Sequence, residues 1–127
     1  MTAASLLDAA RDLLPRAHAP YSRFRVGAAL EDAEGNVHPG VNVESVSYGL
    51  TICAERAALF GALARGAKGF RRIAIACDRP VDCVPCGACR QVLFEHAPDL
   101  ELILASAEGA PEMIPLRDLF PRPFIQF

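Results

Sequence analysis

Two short cysteine segments that lie far apart in the chain most limit the folds that it can adopt. Glu55 follows Cys53 by two residues, and Cys86 and Cys89 come much later, just after a proline. Three thiolates can hold a tetrahedral zinc ion and leave its fourth position to water. A fold that builds such a site must bring the two segments together. The acid beside the first ligand can then move the protons of that water without binding the metal.

The predicted secondary structure suits thiolate ligands. Cys86 and Cys89 are three residues apart, so they share one face of a helix. These two residues and Cys53 lie at the starts of predicted helices, where the partial positive charge lowers a thiol pKa. Three thiolates bring excess negative charge to the metal. Arg56 or Arg90 could hydrogen-bond a ligand sulfur and withdraw some of that charge.

The composition describes a globular chain that has no evident affinity for polyanions. Its 127 residues are 52% hydrophobic and 22% charged, and the net charge is −2. These values allow a packed core and give no electrostatic case for binding nucleic acid or an anionic membrane. The sequence shows five cysteines and no secretory segment, so we expect a cytoplasmic protein without disulfides.

Periodicity predicts helices that alternate with strands after an initial hairpin. The predicted elements are a helix at 4–15, strands at 24–30 and about 37–43, a helix at about 52–65, a strand at 73–77, a helix at about 87–96, a strand at 100–105 and a proline-broken apolar tail at 119–127. Thr51 is the predicted N-cap of the second helix, and Gly66 is predicted to follow its end. This order favours one α/β domain over residues 1–127, with helices on both faces of a mixed central sheet.

A closed structural zinc site is the simplest alternative. Cys83 precedes Cys86 by three residues and could supply a fourth thiolate, which would leave no position for water. Cys83 lies in a predicted loop rather than at a helix start, and such a site would not need Glu55. We therefore favour the open site, and Cys77 is predicted to be a buried thiol of its strand.

The motifs Cys53-Ala54-Glu55 and Pro85-Cys86-Gly87-Ala88-Cys89 carry a family resemblance. They fit the pattern of zinc-dependent nucleobase deaminases. The chain most resembles the small, homotetrameric cytidine deaminases, through residues 20–30, 42–44, 47–56 and 85–91. The resemblance implies a three-layer α/β/α domain with one Zn²⁺ per subunit. It also implies hydrolysis of free cytidine and deoxycytidine to uridine, deoxyuridine and ammonia in pyrimidine salvage, at sites shared between subunits.

The resemblance also assigns a role to each site residue. The implied zinc ligands are Cys53, Cys86 and Cys89, with Glu55 as the proton carrier. The implied substrate-binding residues are Phe24, Asn42, Glu44, Tyr48, Ala54 and Phe124. Phe24 would line the base pocket, Ala54 would hold the base through its backbone, and Asn42 and Glu44 would bind the ribose. Tyr48 and Phe124 would each reach the nucleoside in a neighbouring subunit.

Three other functions fit part of the pattern. A deaminase that acts on polynucleotides would usually have His as its first ligand and would need a basic surface, whereas this chain has Cys53 and a negative net charge. A blasticidin-type or other small-molecule aminohydrolase would keep the zinc and Glu55 and change the pocket. A structural module with four thiolates would need no acid at all.

Overall fold

The computed structural model describes residues 1–107 and 109–126, so Phe127, the last residue of the predicted tail, lies outside the described residues. The helices and strands of the described residues are α1 (Ala3–Asp12), β1 (Val26–Glu31), β2 (Val37–Val41), α2 (Ala54–Ala64), β3 (Arg72–Cys77), α3 (Gly87–His96), β4 (Glu101–Leu104) and β5 (Glu112–Pro115). Short 3₁₀ helices at Leu14–Arg16, Tyr48–Leu50 and Leu116–Leu119 connect them.

The strands form one mixed sheet in the order β2-β1-β3-β4-β5. Strands β3 and β4 run parallel, and every other neighbouring pair is antiparallel. The predicted hairpin of β1 and β2 is confirmed. Its turn is held by Asp32, whose carboxylate accepts hydrogen bonds from the backbone amides of Glu34 and Asn36 at 2.9 and 3.0 Å. Gly35 supplies the positive φ of +84° that this turn requires.

Two glycines show that helices cover both faces of the sheet. Gly27 pairs with Val41, and Gly40 pairs with the next residue, Ala28, so the two glycines face opposite sides. A Cβ atom at Gly27 would collide with the backbone of α1, and one at Gly40 would collide with the backbone of α2. Helix α3 packs against α2. The predicted three-layer α/β/α arrangement is therefore confirmed.

The core lies between these layers and includes the two parallel strands. Residues 73–76 of β3 are buried throughout, as predicted for a strand that is covered on both faces. The aliphatic side chains of β4 are buried as well, from Leu102 to Leu104. Among the described residues, no helix combines the length and the apolar character needed to cross a membrane.

Three local predictions were wrong. Helix α2 begins at Cys53 as its N-cap, because Thr51 instead accepts a hydrogen bond from the backbone of Ser45. Helix α1 ends at Asp12, and Pro15 lies in the 3₁₀ turn that follows. Strand β5 was missed since it has only four residues, is largely exposed and ends in a proline.

The close approach of α2 to the sheet yields a test of the fold. A methyl group at Gly40 would overlap the backbone oxygen of Ala54 and the backbone nitrogen of Ala58, and neither atom can move without shifting the helix. We expect Gly40→Ala to lower the free energy of unfolding by about 1–3 kcal/mol, measured by urea denaturation.

Gly49→Ala is the matched control for Gly40→Ala. Gly49 lies in an exposed 3₁₀ turn, and a Cβ atom there would meet open space. Its free energy of unfolding should stay within about 0.5 kcal/mol of the parent value. Equal stabilities for the two variants would contradict the close packing of α2 on β2.

Candidate active site

Two helices begin at the same place and carry all three predicted zinc ligands. Cys53 is the N-cap of α2 and Cys86 is the N-cap of α3, while Cys89 lies in the first turn of α3. The backbone of each N-cap residue is extended, with ψ angles of 154° and 167°. The thiols therefore lie at the positive ends of two helix dipoles, which favour a thiolate over a thiol.

The three sulfur atoms form a cluster that suits a zinc ion. All three Sγ atoms lie within 4.8 Å of one another, and those of Cys53 and Cys86 are 3.7 Å apart. Cys89 is buried, Cys53 is half-buried and Cys86 is exposed, so the cluster opens toward the surface. Soft thiolate donors in such a group match the ligands that Zn²⁺ prefers. These three cysteines would hold it.

Cys83 lies apart from this cluster. Its thiol donates to Sγ of Cys77 at 3.0 Å instead of joining the other three sulfur atoms. Cys77, predicted to be buried, is partly exposed at the end of β3. The arrangement gives no support to a closed site with four thiolates.

Arg56 supplies positive charge to the sulfur cluster. Its Nη2 donates to Sγ of Cys53 at 3.5 Å. A hydrogen bond from the Cys89 thiol, together with the Arg56 guanidinium, lowers the pKa of Cys53. The Nε atom of Arg56 is buried and has no hydrogen-bond partner among the described residues. A guanidinium that contacts a ligand sulfur and has a buried Nε without a protein partner fits a site that holds negative charge.

Arg90, the other arginine predicted to contact a ligand sulfur, has a different role. Its Nε donates to the carbonyl of Pro85 at 2.8 Å, and its Nη1 donates to the carbonyl of Leu119 at 3.0 Å. Arg90 therefore ties the segment before Cys86 to the C-terminal part of the chain. It thereby helps to position the segment that carries Cys86, and these two hydrogen bonds go to carbonyl oxygens and not to a sulfur atom.

Glu55 is a buried carboxyl group in the first turn of α2. Only 5% of the residue is exposed. Burial is the main reason that its pKa is raised to about 7, and the neighbouring Cys53 thiolate contributes to this rise. A carboxyl group that is half-protonated near neutral pH can both accept and release a proton during a reaction. This property marks it as a functional group, since a structural ion pair would lower the pKa instead.

A mostly apolar cavity of about 240 Å³ opens beside Glu55. The predicted site residues in its wall are Phe24, Asn42, Cys53, Ala54, Glu55 and Cys86. Sequence reasoning missed Thr51, Asp82 and Val84, which also line it. The sequence signal that could have identified these three residues is their position close to Cys53 or Cys86 in the chain. A small apolar cavity with a few polar groups is typical of a site for a small molecule.

Asn42 joins the cavity to the sheet. Its Oδ1 accepts a hydrogen bond from the backbone amide of Val26 at 2.9 Å, and its Nδ2 donates to the carbonyl of Phe24 at 2.7 Å. The buried amide thereby fixes the start of β1 and the position of Phe24. An amide has four hydrogen-bonding positions, so two remain for a ligand.

Glu44 and Tyr48 lie in a depression that adjoins the cavity. Thr51 lines both, so the two share a wall. The carboxylate of Glu44 accepts hydrogen bonds from the backbone amides of Tyr21 and Ser22 at 3.0 and 3.1 Å, and from the Ser22 hydroxyl. The hydrogen bond from that hydroxyl is the main reason that its pKa is lowered. Glu44 therefore stays charged near neutral pH.

Phe124 is outside both recesses of this chain. Its side chain does not line the cavity or the depression, and 63% of the residue is exposed. Its backbone carbonyl accepts a hydrogen bond from Nε2 of Gln91 on α3 at 2.6 Å. The tail therefore runs along α3.

Comparison with known proteins agrees with this geometry. The family model described as the cytidine and deoxycytidylate deaminase zinc-binding region matches residues 1–103. The chain belongs to this family. The three thiols, Glu55 and the cavity all lie inside the matched residues. The protein is thus a zinc-dependent deaminase of the cytidine deaminase fold.

Curated relatives and solved structures of the family cover nearly the whole chain. The cytidine deaminase of Halalkalibacterium halodurans is 46% identical over 109 residues, which are 85% of this chain and 83% of that protein. A probable cytidine deaminase of Dictyostelium discoideum is 43% identical over 94% of this chain and 82% of its own. The crystal structure of cytidine deaminase from Burkholderia pseudomallei superposes with a TM-score of 0.92 at 46% identity, covering 98% of this chain and all of that one.

The contact between Arg56 and Cys53 predicts how the deaminase holds zinc. Removing the guanidinium leaves the charge of three thiolates less compensated, so we expect Arg56→Gln to weaken zinc binding about 10-fold or more. Competition with a chromogenic zinc chelator measures the affinity. Arg56→Lys keeps the positive charge but loses the planar guanidinium. Its zinc affinity should lie between those of the parent protein and Arg56→Gln.

Arg11→Gln is the control for the loss of one positive charge. Arg11 is exposed, lies on α1 on the other face of the sheet and pairs with Asp8 at 3.4 Å. Its zinc affinity should equal that of the parent protein. An unchanged affinity in Arg56→Gln would show that the guanidinium does not support the metal.

Proposed function

We propose that this protein hydrolyses free cytidine and deoxycytidine to uridine and deoxyuridine, with release of ammonia. The observation that carries the proposal is the buried carboxyl group of Glu55, which lies beside three clustered thiols in the wall of a small cavity. In the reaction one water molecule is consumed, a C4–O bond forms and the C4–N bond to the amino group breaks. We take residues 1–127 as one catalytic domain that serves pyrimidine salvage in the cytoplasm.

Glu55 carries protons between the attacking water and the pyrimidine ring. When one Zn²⁺ is held by Cys53, Cys86 and Cys89, it supplies Lewis-acid activation of that water. Glu55 accepts the proton that the water loses and delivers it to N3 of the base, which makes C4 more electrophilic. Glu55 then helps to protonate the departing amine. Its pKa near neutrality suits transfers in both directions.

The cavity walls suit a pyrimidine nucleoside. Phe24 would pack against the base, and the backbone of the buried Ala54 would hold its polar edge. The free hydrogen-bonding positions of Asn42 and the carboxylate of Glu44 would bind the sugar hydroxyls. The negative charge of Glu44 would repel a phosphate group. A nucleoside is therefore a better substrate than a nucleotide or a polynucleotide.

We further propose that four chains assemble and share their active sites. Large apolar side chains are exposed at Val46, Tyr48, Leu50, Phe124 and Ile125. Exposed apolar groups of this size are typical of surfaces that a partner covers. Tyr48, beside the recess of Glu44, and Phe124, on the tail, would each reach the nucleoside of a neighbouring subunit.

The role of Glu55 predicts a loss of chemistry without a loss of metal. We expect Glu55→Gln to lower kcat for cytidine by about 10²- to 10⁴-fold, because the amide cannot carry a proton. The fall in ultraviolet absorbance on deamination and the release of ammonia measure turnover. Zinc content should stay equal to that of the parent, since Glu55 is not one of the thiol ligands.

Glu34→Gln is the control for the loss of one carboxylate. Glu34 is exposed in the hairpin turn, away from the cavity. Its kcat should match that of the parent protein. A parent protein that binds zinc but deaminates neither cytidine nor deoxycytidine would overturn the proposed function, and full activity in Glu55→Gln would overturn the role of Glu55.

If active sites are shared, the protein should be a tetramer in which a side chain of one subunit affects substrate binding in the next subunit. Light scattering should give a mass about four times the 13.6 kDa of the chain. Phe124→Ala should raise KM for cytidine more than it lowers kcat, because the aromatic ring contacts the base and not the reacting atoms. Met113→Ala, at a similarly exposed apolar side chain on β5, is the control. A fully active monomer would contradict this proposal.

A further inference from the structure

The cavity has a second pair of cysteines in its wall that the proposed reaction does not use. Cys77 is the last residue of β3, and Cys83 lies in the loop that leads to Cys86. Their Sγ atoms are 3.0 Å apart, closer than the 3.7 Å between Cys53 and Cys86. Both line the cavity beside Glu55.

The surrounding structure holds the pair together. Cys77 is fixed by the pairing of β3 with β1, and the backbone amide of Cys83 donates to the carbonyl of Ala105 at 3.1 Å. The chain between the two cysteines turns at residues 79–81, where the backbone amide of Val81 donates a hydrogen bond to the carbonyl of Arg79 at 2.9 Å. A disulfide has an S–S length of about 2.05 Å, so closing this pair needs a movement of only about 1 Å.

We propose that Cys77 and Cys83 are an oxidation site that forms a reversible disulfide in the wall of the cavity and thereby lowers turnover. The oxidant is a peroxide. Cys77 is partly exposed and is the thiol that a peroxide reaches first, whereas only 7% of Cys83 is exposed. The effect on turnover rests on the proposed deaminase activity, while formation of the disulfide does not.

The oxidation consumes one molecule of hydrogen peroxide and releases two waters. The sulfur of Cys77 attacks one peroxide oxygen, the O–O bond breaks, and a sulfenic acid and a water molecule form. The sulfur of Cys83 then attacks the sulfur of that sulfenic acid. The S–O bond breaks, the hydroxyl group leaves with the thiol proton of Cys83 as the second water, and the disulfide closes.

The environment of Cys83 makes it the second of the two thiols to react. Burial, together with the hydrogen bond to Cys77, raises the pKa of Cys83 to about 12. Cys83 therefore stays a thiol near neutral pH and donates a hydrogen bond to Sγ of Cys77, so the more exposed Cys77 is the sulfur that is oxidised first. Once Cys77 is oxidised, the second sulfur is already within contact distance.

Closing the disulfide would shift groups that surround the substrate. Val84 and Asp82, the neighbours of Cys83, line the cavity, and the zinc ligand Cys86 is three residues further on. A displacement of about 1 Å near a reacting centre can cost about 10²-fold in rate. We expect a loss of at least about 10-fold in kcat/KM, fully reversed by a dithiol reductant.

The test uses the zinc-loaded protein with hydrogen peroxide. After a short exposure, free thiols are alkylated in denaturant and the protein is digested with trypsin and a protease that cleaves before aspartate. Cleavage after Arg72 and before Asp78 and Asp82 separates Cys77 from the peptide that holds Cys83, Cys86 and Cys89. Fragmentation then assigns the linked cysteine. Zinc content and kcat/KM are measured before oxidation, after oxidation and after reduction.

The expected result is a link between Cys77 and Cys83 with zinc retained and with reversible loss of kcat/KM. Cys77→Ser and Cys83→Ser should each lose the link and the reversible inactivation, each compared with its own reduced form. Three results would overturn the proposal: links to zinc ligands with parallel loss of zinc, no link before zinc is lost, or a link without change in kcat/KM. If the reduced protein is inactive on cytidine, the proposed function fails, and with it the effect on turnover, while peptide mapping still tests the oxidation site.

Discussion

The site depends on the convergence of two helix N-termini. Cys53 and Cys86 are the N-caps of α2 and α3, and their sulfur atoms are 3.7 Å apart. Two positive helix ends would repel each other without an anion between them, so the thiolates and the helices stabilise one another. The close contact of α2 with β2 at Gly40, which has no side chain, sets where the first of these ends lies. The sheet therefore positions the metal site through its packing.

The same convergence gives Glu55 its properties. Because it follows the N-cap of α2, its side chain lies in the interior beside the sulfur cluster, where burial raises its pKa to about 7. An exposed carboxyl group in the same sequence would have a lower pKa and would accept a proton from water less readily. Arg56 and Glu55 are neighbours in the chain, yet one contacts a sulfur atom while the other contributes to the cavity wall. The helix start therefore places one side chain against a sulfur atom and its neighbour in the wall of the cavity.

Local patterns in the sequence were sufficient to predict the layers of the fold and the three cysteines whose sulfur atoms cluster. They were insufficient wherever a distant contact decides the outcome. Thr51 is a better N-cap than cysteine by intrinsic preference, but the pairing of Ile52 with Val43 delays the helix start to Cys53. Glu44 holds the backbone of Tyr21 and Ser22, which are far from it in the chain. The contact between Cys77 and Cys83 likewise needs the folded loop.

We infer that three thiolates hold the zinc ion and leave its fourth position open beside Glu55. X-ray absorption at the zinc edge of the purified protein tests it most directly, since sulfur and oxygen ligands differ in distance and scattering. We expect three sulfur atoms at about 2.3 Å and one oxygen atom at about 2.0–2.2 Å from the zinc ion. Four sulfur atoms, with Cys83→Ser reducing the number to three, would contradict it and would identify a closed structural site.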